Sequence, residues 1–98
     1  MHGSISQRQF VAAPDQVSSD LDGDAVILNL NSGVYFGLNP VGARVWELLQ
    51  EPRTVDEICG TVRQEFEVEL DRCRRDLINL LEQMRNEGLV TEGLVDVA

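Results

Sequence analysis

Val26-Ile27-Leu28-Asn29-Leu30-Asn31-Ser32-Gly33-Val34-Tyr35-Phe36-Gly37-Leu38-Asn39-Pro40 reads as strand, turn, strand and helix start in one uninterrupted run. Val26, Leu28 and Leu30 alternate with Ala25, Ile27 and Asn29; both sets are largely apolar, which suits a middle strand covered on two faces. Asn31-Ser32-Gly33 interrupts it with turn formers, Gly33 supplying a left-handed position that a side chain resists. Val34 to Leu38 follows as a strand of β-branched and aromatic residues. At Asn39-Pro40 the Asn side chain can accept from the unpaired N–H groups of a first helical turn, and Pro occupies the position where a missing N–H leaves no gap.

Toward the N-terminus, Val17–Leu21 and Asp24–Leu30 flank Asp22-Gly23, a two-residue signal for a tight hairpin. The expectation is a three-stranded antiparallel meander. Toward the C-terminus, helix one runs to about Gln50 with Val41, Val45, Trp46, Leu48 and Leu49 inward, and Pro52 ends it. Thr54-Val55-Asp56-Glu57 is a capping box opening helix two, whose inward residues are Val55, Ile58, Cys59, Val62 and Phe66. Helix three spans about Leu70 to Glu87, with Leu70, Cys73, Leu77, Leu80, Leu81 and Met84 in one stripe. Gly88-Leu89 caps it, and Leu89–Thr91 reads as one short further strand.

Residues 1–16 show no periodicity and read as a flexible N-terminal arm ending in a short extended piece, 17–92 as the folded domain, and 93–98 as a tail. The fold class is α+β, winged-helix-like: a three-stranded antiparallel sheet packed on a three-helix bundle.

At 98 residues the chain has room for one domain that needs no staple. The net charge of −9, with arginine as the sole basic residue type besides His2, sets the overall field against a nucleic-acid partner. The apolar runs are far shorter than the roughly 20 residues that cross a bilayer, and no basic start leads into an apolar signal core. No membrane partner is expected, and the expected compartment is cytoplasmic. Cys59 and Cys73 lack CxxC spacing and read as buried free thiols. His2, the single histidine, lies in the arm, leaving a nucleophile no well-placed base. Asp20, Asp22 and Asp24 alternate like a calcium loop, but Ala25 and Asn31 stand where that loop needs Gly and Glu, so the run reads as a solvated hairpin tip. Glu65, Glu67 and Glu69 read as solvated charge. No metal or cofactor is expected.

Two features point to binding. Val34-Tyr35-Phe36-Gly37-Leu38 would lie at the edge of the meander and carries no Lys, Glu or Pro to discourage pairing, so a foreign extended peptide could add to it. On helix three, Arg74, Ile78, Leu81 and Arg85 form a second ridge, an apolar centre between two guanidinium groups. The alternatives are that Ile78 packs on the hairpin while the arginines pair with Asp71, Asp76 or Glu82, and that the edge is covered by the arm or by a second copy.

The run from Val26 to Asn39 leading into Val45-Trp46-Glu47-Leu48-Leu49, together with Thr54-Val55-Asp56-Glu57-Ile58, Asp76-Leu77-Ile78-Asn79-Leu80-Leu81 and Gly88-Leu89-Val90, resembles the PqqD-like family of peptide chaperones over about Val17 to Thr91. The resemblance implies a recognition element for ribosomally made, modified peptides that holds a leader segment between its third strand and third helix. By position this assigns peptide binding to Val34, Tyr35, Phe36 and Gly37 and to Arg74, Ile78, Leu81 and Arg85, with acidic leader groups near Arg74 or Arg85, and no catalytic residue. The free-standing form is most similar to the lasso-peptide version, which implies as partners a precursor's leader segment, a separate cysteine leader peptidase and an ATP-dependent macrolactam synthetase. The same scaffold accompanies radical SAM enzymes in other pathways. A winged-helix DNA-binding regulator is the rival reading: Arg72, Arg74 and Arg75 cluster at the start of helix three, opposed by Glu67, Glu69, Asp71 and Asp76.

Overall fold

Asp22 and Gly23 both take positive φ, 56° and 94°, the geometry that closes a two-residue hairpin with the twist of its strands. In a computed structural model describing residues 8–94, this hairpin joins β2 (Gln16–Leu21) to β3 (Asp24–Asn29). A turn with Gly33 at φ 74° leads to β4 (Tyr35–Leu38). The strand order β2-β3-β4 is the expected meander, with β3 in the middle. Ala25, Ile27 and Asn29 are its buried face, while Val26 and Leu28 on the other face are only half-covered.

Helix α1 (Pro40–Leu48) starts as its sequence dictates: Asn39 Oδ1 accepts from Gly42 N at 2.9 Å and Pro40 stands at the first position. After it comes α2 (Val55–Glu65), where both halves of the capping box form: Thr54 N donates to Glu57 Oε1 at 2.8 Å, and Glu57 N donates to Thr54 Oγ1 at 3.1 Å. The last helix, α3 (Leu70–Asn86), ends at Gly88, whose φ is 75°. Phe10, Ile27, Leu49, Ile58, Leu81, Met84 and Leu89 meet in one core that sheet and helices share. Leu70 departs from the expected buried stripe and is exposed in the first turn of α3, and Val41, Phe66 and Leu80 are half-buried.

The expectation of a loose arm over residues 1–16 is corrected for part of its length. Arg8–Ala12 is β1, the middle strand of a second sheet with order β5-β1-β6. It pairs antiparallel with the short β5 (Arg53–Thr54) and, from Arg8↔Leu94 to Ala12↔Val90, with β6 (Val90–Leu94). Phe10 is 2% exposed, and Ala12 N and Ala13 N donate to Leu49 O and Leu89 O at 2.7 and 2.8 Å. The segment is ordered because its partner strand follows the last helix and its apolar side chain completes the core. β6 also runs past the expected Leu89–Thr91, into the segment read as tail. The rest of the expected arm and tail, residues 1–7 and 95–98, lies outside the described residues. Among those described, no helix is long and apolar enough to cross a membrane.

Candidate functional site

β4 pairs with β3 from Leu28↔Tyr35 to Ala25↔Leu38 and, among the described residues, has no strand on its other side. Asn29 N donates to Val34 O at 3.0 Å, so the main-chain groups of Val34 face β3. Antiparallel pairing turns successive residues to alternate sides, and therefore Phe36 and Leu38 also face β3 while the N–H and C=O of Tyr35 and Gly37 point to the free edge. The turn before β4 is held by Asn29, the sole buried polar residue among those described: its Oδ1 accepts from Asn31 N at 2.9 Å and Ser32 N at 3.2 Å. Arg8–Ala12, the described part of the arm considered as a cover for this edge, pairs in the other sheet.

Between the end of β4 and the first half of α3 lies an open cleft of about 870 Å³. Val45, Val62, Cys73 and Leu77, all buried, form its floor, and Val68 and Leu80, half-buried, its walls. Gly37 and Leu38 border it on the strand side; Glu67, Glu69, Arg72 and Asp76 stand at its exposed rim. An extended chain paired with Tyr35 and Gly37 would direct every second side chain into this space.

The strand half of the expected site, Val34, Tyr35, Phe36 and Gly37, is thus together on one edge. The helix half lies elsewhere: none of Arg74, Ile78, Leu81 and Arg85 lines the cleft. Leu81 is 1% exposed and belongs to the core. Arg74 pairs with Asp56 on α2, and Arg85 pairs at 2.9 Å with Glu92 on β6, which also binds Arg8 at 2.8 Å. Neither arginine takes the same-helix partners considered for it. Arg72, Asp76 and Leu80, spaced i, i+4, i+8, run along the opposite flank of the buried stripe and are the ones beside β4. The helical period placed Leu80 in the buried stripe, and its position at the edge of that stripe was the available signal for this flank.

Two further features bear on the site's chemistry. Arg44 on α1 grips the Glu65 carboxylate with Nε and Nη2, each at 2.9 Å, and this bidentate contact holds Glu65 below the usual carboxylate range and Arg44 above its own. Glu65 is therefore not free solvated charge. Cys59 and Cys73 are buried free thiols facing each other from α2 and α3; burial first, then the contact with Cys73, pushes the Cys59 thiol up to about 12. A thiol so placed stays protonated and is a poor nucleophile. Among the described residues no group of His, Cys, Asp and Glu could hold a metal ion.

A family model described as coenzyme PQQ synthesis protein D (PqqD) matches residues 24–90, which span β3, β4 and all three helices. The chain belongs to the PqqD family. A solved structure described as TbiB1 in complex with the TbiA(beta) leader peptide is 35% identical to this PqqD-family chain, with a TM-score of 0.77, covering 88% of this chain and 99% of that one. A structure described as lasso peptide synthetase B1 complexed with the leader peptide shares the fold at 24% identity and a TM-score of 0.73, over 84% of this chain and 96% of that one. No curated protein matches this PqqD-family chain.

Proposed function

We propose that this chain is a non-catalytic adaptor that binds the leader segment of a ribosomally synthesised precursor peptide by strand addition to β4 and presents it to a leader peptidase and a macrolactam synthetase in lasso-peptide maturation. The observation that carries the reading is the edge of β4, unpaired among the described residues and offering Tyr35 and Gly37 beside a cleft with an apolar floor. Membership of the PqqD family supports it, as does the likeness to TbiB1, which was solved with a leader peptide. The peptide's backbone bonds to the edge supply affinity, and the alternate side chains it lowers into the cleft supply selection.

The test is a fluorescence anisotropy titration with a labelled synthetic peptide covering the leader of the cognate precursor. Saturable binding is expected. Gly37→Pro removes an N–H that points away from β3, and a Cβ at Gly37 meets nothing within 4 Å, so the fold should persist by circular dichroism. The lost edge bond and the ring in the path of the incoming strand should weaken binding about tenfold or more. Equal binding by the folded variant would refute strand addition at this edge. The family's description names coenzyme PQQ synthesis, which fits a second reading, a PqqD-type peptide chaperone for a radical SAM maturation enzyme. The two separate on whether the adaptor accelerates leader cleavage by the cognate cysteine peptidase.

A further inference from the structure

The charges around the cleft bear on which peptide it selects, an inference that rests on strand addition at β4. Of the alternating Glu65, Glu67 and Glu69, the first is neutralised by Arg44. Glu67 and Glu69 are exposed on the cleft rim and have no ion-pair partner among the described residues. On the α3 side Arg72 is the one cation lining the cleft among the described residues, and Asp76, also on the rim, stands 3.6 Å from it. The rim thus sets three carboxylates against a single guanidinium. Arg74 and Arg85, the groups that would have welcomed an acidic peptide, are on the opposite flank and already paired with Asp56 and Glu92.

Inward side chains of a strand added to β4 fall about 6.5 to 7 Å apart, so one register places consecutive inward residues over different parts of the cleft. Over Val45 and Leu77 the surroundings are apolar and buried, and a charge there would be stranded. Toward the turn from α2 to α3 the cleft is lined by Glu67 and Glu69, where an acidic side chain is repelled and a cation attracted; Arg63, whose Nε donates to Val68 O at 3.2 Å, stands at the same turn but does not line the cleft. The net charge of −9 adds a longer-range pull in the same sense. We infer that the occupant is a basic-apolar strand: a leader segment with apolar side chains at alternate positions over the Val45–Leu77 floor and a Lys or Arg at the inward position nearest Glu67 and Glu69.

The experiment uses the full chain and the labelled synthetic leader of the cognate precursor, at low and high salt, with Glu67→Lys as the principal variant. Because Glu69 is the N-cap of α3, the milder Glu69→Gln is the second variant. Weaker binding at high salt, a loss of about tenfold in Glu67→Lys, and recovery when one basic leader residue is changed to Glu would establish the pairing. A leader that binds wild type and both variants alike, or that contains no basic residue in its bound segment, overturns this inference while leaving strand addition standing. A leader that does not bind wild type at all overturns both.

Discussion

Asn29 Nδ2 donates to the main-chain oxygen of Glu87 at 2.7 Å, joining the end of β3 to the end of α3 across 58 residues of chain. The same side chain holds the turn that launches β4, so a single amide ties the free edge to the helix it faces. Asn29→Ala leaves the Glu87 carbonyl and two turn N–H groups without this partner. It should lower stability by about 2–3 kcal/mol, read as the shift in urea midpoint at unchanged slope, and weaken leader binding in the folded fraction.

Phe10 gives the second prediction. If β1 completes the core, Phe10→Ala should cost about 3–5 kcal/mol, as large apolar truncations do at sites that cannot collapse. A loose arm would tolerate the change with no shift in melting, so thermal denaturation decides.

Cys59 supplies a pH dependence. Its thiol rises from an ordinary value of 9.0 to about 12 in the fold, so the unfolded chain gives up this proton first as pH increases. The contribution is fully present below pH 9, fades as pH climbs from 9 toward 12, and leaves stability in the neutral range unaffected. Urea midpoints across that range should fall in wild type and fall less in Cys59→Ala. In the native protein both thiols should resist iodoacetamide at neutral pH until denaturant is added.

The two flanks of α3 can be compared directly. Leu80→Glu places a charge on the cleft wall and should weaken leader binding about tenfold or more by anisotropy, while Arg85→Gln, whose charge is engaged by Glu92, should leave binding within about twofold. The reverse result would move the peptide to the other flank.

Most elements were legible because their signals are local. Asp22-Gly23 closes a hairpin since two adjacent residues tolerate positive φ, Thr54 and Glu57 cap each other within one turn, and Pro40 fits a first turn whoever its neighbours are. The edge character of β4 was legible too, from a third strand with no gatekeeping residue. Arg8–Ala12 was not, because five residues carry too little alternation to announce a strand and its partner, β6, follows the last helix.

Composition, turn chemistry and helix caps thus determine from the chain alone that there is a meander, three helices and an edge strand between them. Which flank of α3 faces that edge, and which arginines are already engaged, was decided by tertiary packing. A helix period places residues on a cylinder but not the cylinder against its neighbours, and Asp56 and Glu92 reach Arg74 and Arg85 only once α2 and β6 have packed on α3.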